Sequence, residues 1–108
     1  MPIENNKRQA QRALVVRILE GDGRASRERR LSAFKNEGTD EPLRALVNKV
    51  ATEPARISDA DVAAVKAAGI GEDEVFELVI CAAVGAATRQ YETALGALAA
   101  AAAGAAGD

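Results

Sequence analysis

One stretch of the chain is apolar on nearly every side. From Val75 to Ala87 only Glu77 and Gly85 are not apolar. A helix over these residues has no polar face, so it must be covered on all sides to be stable. A chain of 108 residues supplies only a few short helices for that purpose. We therefore expect a central buried helix over Val75–Leu95 whose burial is completed by a homo-oligomer.

The first forty residues predict two basic helices. Apolar residues recur at helical spacing over residues 5–20, and Gly21 ends that helix. Ser26 is an N-cap for a second helix to about Asn36, which Gly38 closes. This second helix holds only two large apolar residues. We expect it to be mobile or to need a partner.

A third helix follows directly. Thr39 provides a capping side chain, and Pro42 is tolerated in the first turn. Pro54 disfavours helix at the residue before it, so the helix should stop near Thr52. Its apolar positions have the spacing i, i+3, i+4 and i+7, a single stripe made of Leu43, Leu46, Val47 and Val50.

The fourth helix has signals at both ends. Ser58 at the N-cap and Asp61 three residues later form a capping-box pair. Gly69 is suited to the left-handed conformation that ends a helix. These signals predict a helix over residues 59–68, and Gly71 then turns the chain into the central helix.

The C-terminal residues consist almost entirely of alanine and glycine. Alanine favours helix, so the last helix should run toward Ala103, while the glycines weaken it. The fold class is therefore all-α, a small domain of five to six helices with a central buried helical hairpin. We divide it into a basic helical pair over 1–38, a core over 39–98 and a frayed tail over 99–108.

Composition excludes many enzyme sites. Cys81 is the only cysteine and there is no histidine, so one chain cannot form a disulfide or a zinc cluster. We expect no metal and no cofactor. The segment at the start is polar, which predicts a cytoplasmic protein with no membrane association.

Charge is unevenly distributed. Residues 1–50 hold eleven Lys or Arg and seven Asp or Glu, whereas residues 51–108 hold three and nine. A basic half raises the question of nucleic acid. The arginines at 24–30 surround a short helix rather than forming one stripe, so we favour a solvated face, or a surface that meets a protein partner or a neighbouring subunit.

A few side chains are candidates for chemistry. Glu77 and Cys81 share one helix face, where a buried carboxyl could be an acid or base and the thiol a nucleophile. The competing interpretation pairs Glu77 with an arginine and makes Cys81 a small buried hydrophobe. Asp61 is either a second candidate acid or base or only a member of its capping box. Candidate anion-binding side chains are Arg56, Arg89 and Tyr91.

The sequence VAAVKAAGIGEDEVFELVICAAVGAATRQYETAL joins a helix ending in Gly69 to an acidic turn and a long apolar helix. Over Leu43–Leu98, about half the chain, it resembles the alkylhydroperoxidase-D-like (carboxymuconolactone decarboxylase) family. That resemblance implies an all-helical fold that assembles into dimers, trimers or hexamers by burying this helical hairpin.

The family's peroxidase motif, Cys-x-x-Cys-x-x-x-His, is absent. Its positions fall on Pro54, Ile57 and Asp61, and the family's acid falls on Pro42, beside Glu41. The resemblance therefore implies a fold and an assembly without the family's activity.

Three hypotheses follow. The first is a catalytically degenerate, oligomeric binding or scaffold module. The second is a decarboxylase or isomerase that uses Asp61 or Glu77 at a subunit interface. The third is nucleic-acid binding through residues 7–35.

Overall fold

The computed structural model describes residues 2–107, with side chains described for residues 7–104. The described chain is all-helical. Five α-helices and one short 3₁₀ helix follow one another in the order α1 (Pro2–Glu20), α2 (Arg27–Lys35), α3 (Leu43–Thr52), the 3₁₀ helix (Pro54–Arg56), α4 (Asp59–Ala67) and α5 (Glu72–Gly107).

Helix α2 begins at a side-chain cap and ends at a residue in the left-handed conformation. The Ser26 hydroxyl accepts a hydrogen bond from the backbone N–H of Arg29, which confirms the predicted N-cap. The residue that ends α2 is Asn36, not Gly38. Asn36 has a φ of 56°, in the left-handed region that asparagine tolerates better than most residues.

Helix α3 buries its predicted stripe but does not begin as predicted. Leu43, Leu46, Val47 and Val50 are all buried. The prediction that Thr39 caps this helix is wrong, because the N-cap is Pro42 and no side chain caps it there. Thr39 is itself buried.

Helix α4 has the predicted ends. The Ser58 side chain accepts from the Asp61 backbone N–H, and the Asp61 carboxylate accepts from the Ser58 backbone N–H. This reciprocal pair is a capping box. At the other end Gly69 has a φ of 97°, and its N–H donates to the Lys66 carbonyl. Both sequence signals are confirmed.

Helix α5 is the element on which the others pack. It is 36 residues long, about 54 Å at a rise of about 1.5 Å per residue, in a molecule measuring 58 × 28 × 20 Å. The predicted end near Ala103 is too early, since the helix continues to Gly107. Side chains of residues 96–104 are all exposed, so this part of α5 projects from the packed core. Fraying of the tail stays a prediction, and Asp108 lies outside the described residues.

Helix α2 packs closely on α5, and the expectation that it is mobile or needs a partner stays a prediction. A Cβ on Gly85 of α5 would overlap the Phe34 carbonyl, so the backbones of the two helices approach directly. Ala33 is completely buried beside them. The Arg29 Nη1 atom lies 2.6 Å from Glu74 Oε2, which ties α2 to the first turn of α5.

One hydrophobic core is shared by α2, α3, α4 and α5. Its members come from both sides of residue 38, so the division of the chain there stays a prediction. The largest fully buried side chains are Leu46, Leu78, Val47, Val65 and Cys81. In α4 only Val65 is buried. Within the described residues, no helix combines the length and the apolar character needed to span a membrane.

The chain covers only one side of α5. The opposite side carries an apolar stripe, which we call the α5 stripe, at spacings of three or four residues except for one step of seven, from Ala87 to Ala94. Its side chains are exposed except that of Ile80, which is half-buried, and they are Phe76, Ile80, Ala83, Ala87, Ala94 and Leu98. At its two ends Phe76 is 66% exposed and Leu98 67% exposed.

Candidate functional site

Glu77 lies where the loop between α1 and α2 meets α5. Its Oε1 accepts a hydrogen bond from the Arg24 backbone N–H at 2.8 Å, and its Oε2 accepts one from the Ala25 N–H at 2.7 Å. A Cβ on Gly23 would lie 2.8 Å from Oε1, so glycine leaves room for the carboxylate. Both oxygens of Glu77 are therefore bound by the loop.

These hydrogen bonds determine the ionisation of Glu77. The Ala25 N–H is the largest influence and holds the pKa of the carboxyl below its usual value, although partial burial opposes it. The Arg24 N–H and the positive charges of Arg30 and Arg24 act in the same direction. Glu77 is thus a carboxylate that fixes a loop, with both oxygens already bound by N–H groups.

Arg30 is a buried cation beside Glu77. Only 6% of it is exposed. Its Nη1 atom donates to the Ile18 carbonyl at 3.1 Å and to the Gly21 carbonyl at 2.6 Å, at the C-terminal end of α1. A cation at this end of a helix binds carbonyls that have no partner within the helix. The Nε of Arg30 is buried and has no hydrogen-bond partner within the described structure.

Cys81 lies one turn beyond Glu77 and is 1% exposed. Burial raises the pKa of its thiol, and the nearby negative charge of Glu77 acts in the same direction, while Arg30 opposes them. A thiol with a raised pKa is a poor nucleophile. This geometry favours the interpretation of Cys81 as a small buried hydrophobe.

A cavity opens at this corner of the molecule, which we call the corner cavity. Its volume is about 450 Å³. Helix α1, the α1–α2 loop, α2 and α5 all contribute to its walls. The lining residues are Leu14, Arg17, Ile18, Asp22, Arg30, Glu77, Ile80 and Cys81. The structure thus brings two sequence candidates, Glu77 and Cys81, to one cavity.

Asp61 does not line the corner cavity, and its carboxylate has other partners. Besides its capping-box bonds, its Oδ1 and Oδ2 accept from Lys49 Nζ at 2.9 and 3.0 Å. The Lys49 hydrogen bond is the largest cause that lowers the pKa of Asp61, and the Ser58 backbone N–H adds to it. The side chain closes α4 against α3, which supports the structural interpretation.

The three candidate anion-binding residues have separate environments. Arg56 is exposed and lies 3.7 Å from Glu53. Arg89 Nη1 donates to the Phe34 carbonyl at 2.6 Å and lines a small cavity that includes neither Arg56 nor Tyr91. Tyr91 is half-buried on α5. Arg89 therefore binds the end of α2, and nothing here assembles the three into one anion site.

Arg30 and Gly23 are site residues that sequence reasoning did not single out. Arg30 is one of four arginines within seven residues, and no pattern distinguishes it from Arg24, Arg27 and Arg29. Gly23 lies two residues beyond Gly21, the predicted end of the first helix. Among the described residues no group of three or more His, Cys, Asp or Glu side chains could hold a metal ion.

Comparison of the chain with protein-family models, with curated proteins and with solved structures found no match. The resemblance to the alkylhydroperoxidase-D-like family accordingly stays a prediction.

Proposed function

We propose that this protein is a catalytically degenerate, oligomeric binding or scaffold module with an alkylhydroperoxidase-D-like architecture. In this proposal copies of the chain associate through α5, and the basic helices α1 and α2 stay accessible to a protein partner. A cytoplasmic location, without nucleic acid or membrane, belongs to the same proposal.

The observation that carries the proposal is the α5 stripe. Contiguous exposed apolar surface with large residues marks an interaction site on a folded protein. From Phe76 to Leu98 the stripe is about 33 Å long, about three heptads of a helical pair. Ala83 and Ala87 at its centre are small enough for two helix axes to approach to about 8–10 Å.

A second copy of the chain suits this surface. The spacing of three and four residues is the one that pairs helices along a common seam. After the step from Ala87 to Ala94 the stripe reaches Leu98 in the projecting part of α5, where residues 96–104 are exposed. A partner helix of the same kind would cover both parts at once.

The proposed lack of catalytic activity is supported by the contacts and burial of the three candidate reactive side chains. Glu77 is bound by loop N–H groups, Asp61 by Ser58 and Lys49, and Cys81 is buried. The alternative, a decarboxylase or isomerase acting through Asp61 or Glu77, would first have to break these contacts. We expect no thiol-dependent peroxide turnover, and peroxide reduction that disappears in Cys81→Ser would contradict this.

The assembly is tested by measuring molecular mass in solution by sedimentation equilibrium. We expect the wild-type chain to have a multiple of the monomer mass of 11.2 kDa. Leu98→Glu places a charge in the stripe and should weaken association at least about tenfold. The matched control is Ala99→Glu, which adds the same charge about 100° around the helix.

We expect Ala99→Glu to associate like the wild type. A wild-type chain that remains a monomer at every concentration, with α5 folded, would overturn the proposal. Equal effects of the two substitutions would also contradict it, because charge alone rather than the stripe would then control association.

A further inference from the structure

We infer that two copies of the chain pair with their α5 helices antiparallel, so that Leu98 of each copy fills a hollow beside Phe76 of the other. The inference rests on the proposed assembly through the α5 stripe. It adds the direction of the pair and the residue that the partner contributes.

The hollow, which we call the Phe76 hollow, lies at the packed end of the α5 stripe. Its volume is about 640 Å³, and it lies between the α1–α2 loop and the first turns of α5. Its apolar lining side chains are Phe76 and Ile80, and Phe76 is 66% exposed. The single chain therefore leaves an apolar recess open at this end of the stripe.

The other end of the stripe has the opposite shape. Side chains of residues 96–104 are exposed, and Leu98, the one large apolar residue among them, is 67% exposed. Because the hollow and the projection lie at opposite ends of α5, an antiparallel pair brings each projection to the hollow of the other copy. A parallel pair would place hollow beside hollow and fill neither.

The two ends also match in their position around the helix. Leu98 follows Ile80 by 18 residues, about five turns at about 3.6 residues per turn, so both side chains point to the same edge of the stripe. The Phe76 hollow lies on that edge, since Asp73 and Glu77 also line it. A two-fold axis perpendicular to antiparallel helices keeps this edge on the same side in both copies. The edge with Leu98 therefore meets the edge with the hollow.

The charges along α5 favour the same direction. Glu72, Asp73 and Glu74 lie in its first turn, whereas residues 93–107 include no charged residue. A parallel pair would bring two acidic turns together, and like charges at close range repel. An antiparallel pair places each acidic turn near the uncharged end of the partner. No charged side chain of that end then loses water on entering the hollow.

The direction of the pair is tested by pulsed electron paramagnetic resonance, which measures the distance between nitroxide labels on the two copies. The main label site is Ala100→Cys, an exposed position 13 residues beyond Ala87, the centre of the stripe. In an antiparallel pair the rise of about 26 residues separates the two labels, so we expect about 40 Å. In a parallel pair only two helix widths of about 10–12 Å each separate them.

Thr93→Cys is the matched control, because Thr93 is exposed and lies about two turns before Ala100 on the same face. It is close to the centre of the stripe, so its labels should lie within about 30 Å of each other in either direction of pairing. Cys81 is 1% exposed and should take up no label. Treatment of the wild-type chain with the same reagent checks this, and Cys81→Ala removes the thiol if it reacts.

The position of the partner's Leu98 is tested with mixed pairs. Wild-type chain labelled with ¹⁵N is unfolded and refolded together with unlabelled Ala100→Cys chain that carries the nitroxide. We expect the amide signal of Gly23, which lines the Phe76 hollow, to lose intensity. In a parallel pair the partner's label would lie about 35 Å further along α5 than the hollow and would leave this signal unchanged.

Each failure has a distinct meaning. Labels at position 100 within about 25 Å of each other, with a short distance at position 93, would overturn the antiparallel pair and leave the assembly through α5 intact. An unchanged Gly23 signal in mixed pairs would overturn the position of Leu98 in the hollow. The absence of any dipolar coupling at position 93 would contradict the proposed assembly itself, and the inference with it.

Discussion

Glu77 is a carboxylate one turn inside an apolar helix, with both oxygens bound by main-chain N–H groups of the loop between α1 and α2. Two neighbouring residues favour a carboxylate at this position. Gly23 makes room for the carboxylate, and Arg30 adds a positive charge nearby. Because N–H groups and cations favour the ionised form, the same contacts that fix the loop lower the pKa of the acid.

The link between the loop contacts and the lowered pKa of Glu77 predicts how the stability of the protein depends on pH. A lowered pKa means that ionised Glu77 stabilises the folded chain above the ordinary pKa of a glutamic acid, about 4.3. That contribution is lost as the pH falls through the lower pKa of the folded protein. Glu77→Gln should therefore lower the free energy of unfolding by about 1–3 kcal/mol at neutral pH. The difference from the wild type should shrink in acid.

Urea unfolding followed by circular dichroism between neutral and acidic pH measures this difference. Glu92→Gln is the control, since it removes an exposed carboxylate from the same helix and is not bound to the loop. It should have little effect at any pH. A Glu77→Gln penalty that stays constant into acid would show that the ionised form is not what binds the loop.

At the scale of elements, the crossing of α2 over α5 depends on a single glycine. The Phe34 carbonyl occupies the space that a side chain at position 85 would need. Arg89, one turn further along α5, donates to the same carbonyl at 2.6 Å. Position 85 thus determines how closely the helices approach, and Arg89 satisfies the carbonyl group at that crossing.

Gly85→Ala should destabilise the protein by about 1–3 kcal/mol, because the two backbones must separate to admit a methyl group. Gly96→Ala is the matched control on the same helix, where a Cβ meets nothing within 4 Å. It should stabilise the chain by up to about 1 kcal/mol through helix propensity. Thermal and urea unfolding measure the change in stability for both substitutions. Stabilisation by both substitutions would contradict the close crossing.

The elements also show what a sequence pattern can predict. The stripe of α3 and the capping box of α4 arise from side chains at fixed spacing, and both are confirmed. Local signals of this kind depend on neighbours within one or two turns. Such signals can therefore be recognised in the sequence without knowledge of the fold.

Contacts between distant elements were not predictable in the same way. The packing of α2 on α5 uses Ala33 and the absence of a side chain at Gly85, which a search for large apolar residues overlooks. Glu77 finds its partners in main-chain N–H groups, which every residue except proline has. The role of Arg30 as a cap of α1 depends on how the chain turns after Gly21.

At the scale of the whole molecule, the chain is a packed core with a projecting helix. The core lies around the first half of α5, and residues 96–104, which are alanine and glycine apart from Leu98, are exposed. In one chain the projecting part has little to stabilise it beyond the helix propensity of alanine. Leu98, the last residue of the α5 stripe, lies in this part, so in our proposal the projecting part serves the assembly rather than the fold of the single chain.

Deletion of residues 96–108 tests this division of roles. Because side chains of residues 96–104 are exposed, the deletion should change the free energy of unfolding of the single chain by less than about 1 kcal/mol. The comparison is made against full-length Leu98→Glu, since association would otherwise make the apparent stability depend on concentration. Both proteins should have the monomer mass at low micromolar concentration and similar urea midpoints. A truncated chain that unfolds or aggregates, while Leu98→Glu remains folded, would mean that the projecting helix stabilises the core itself.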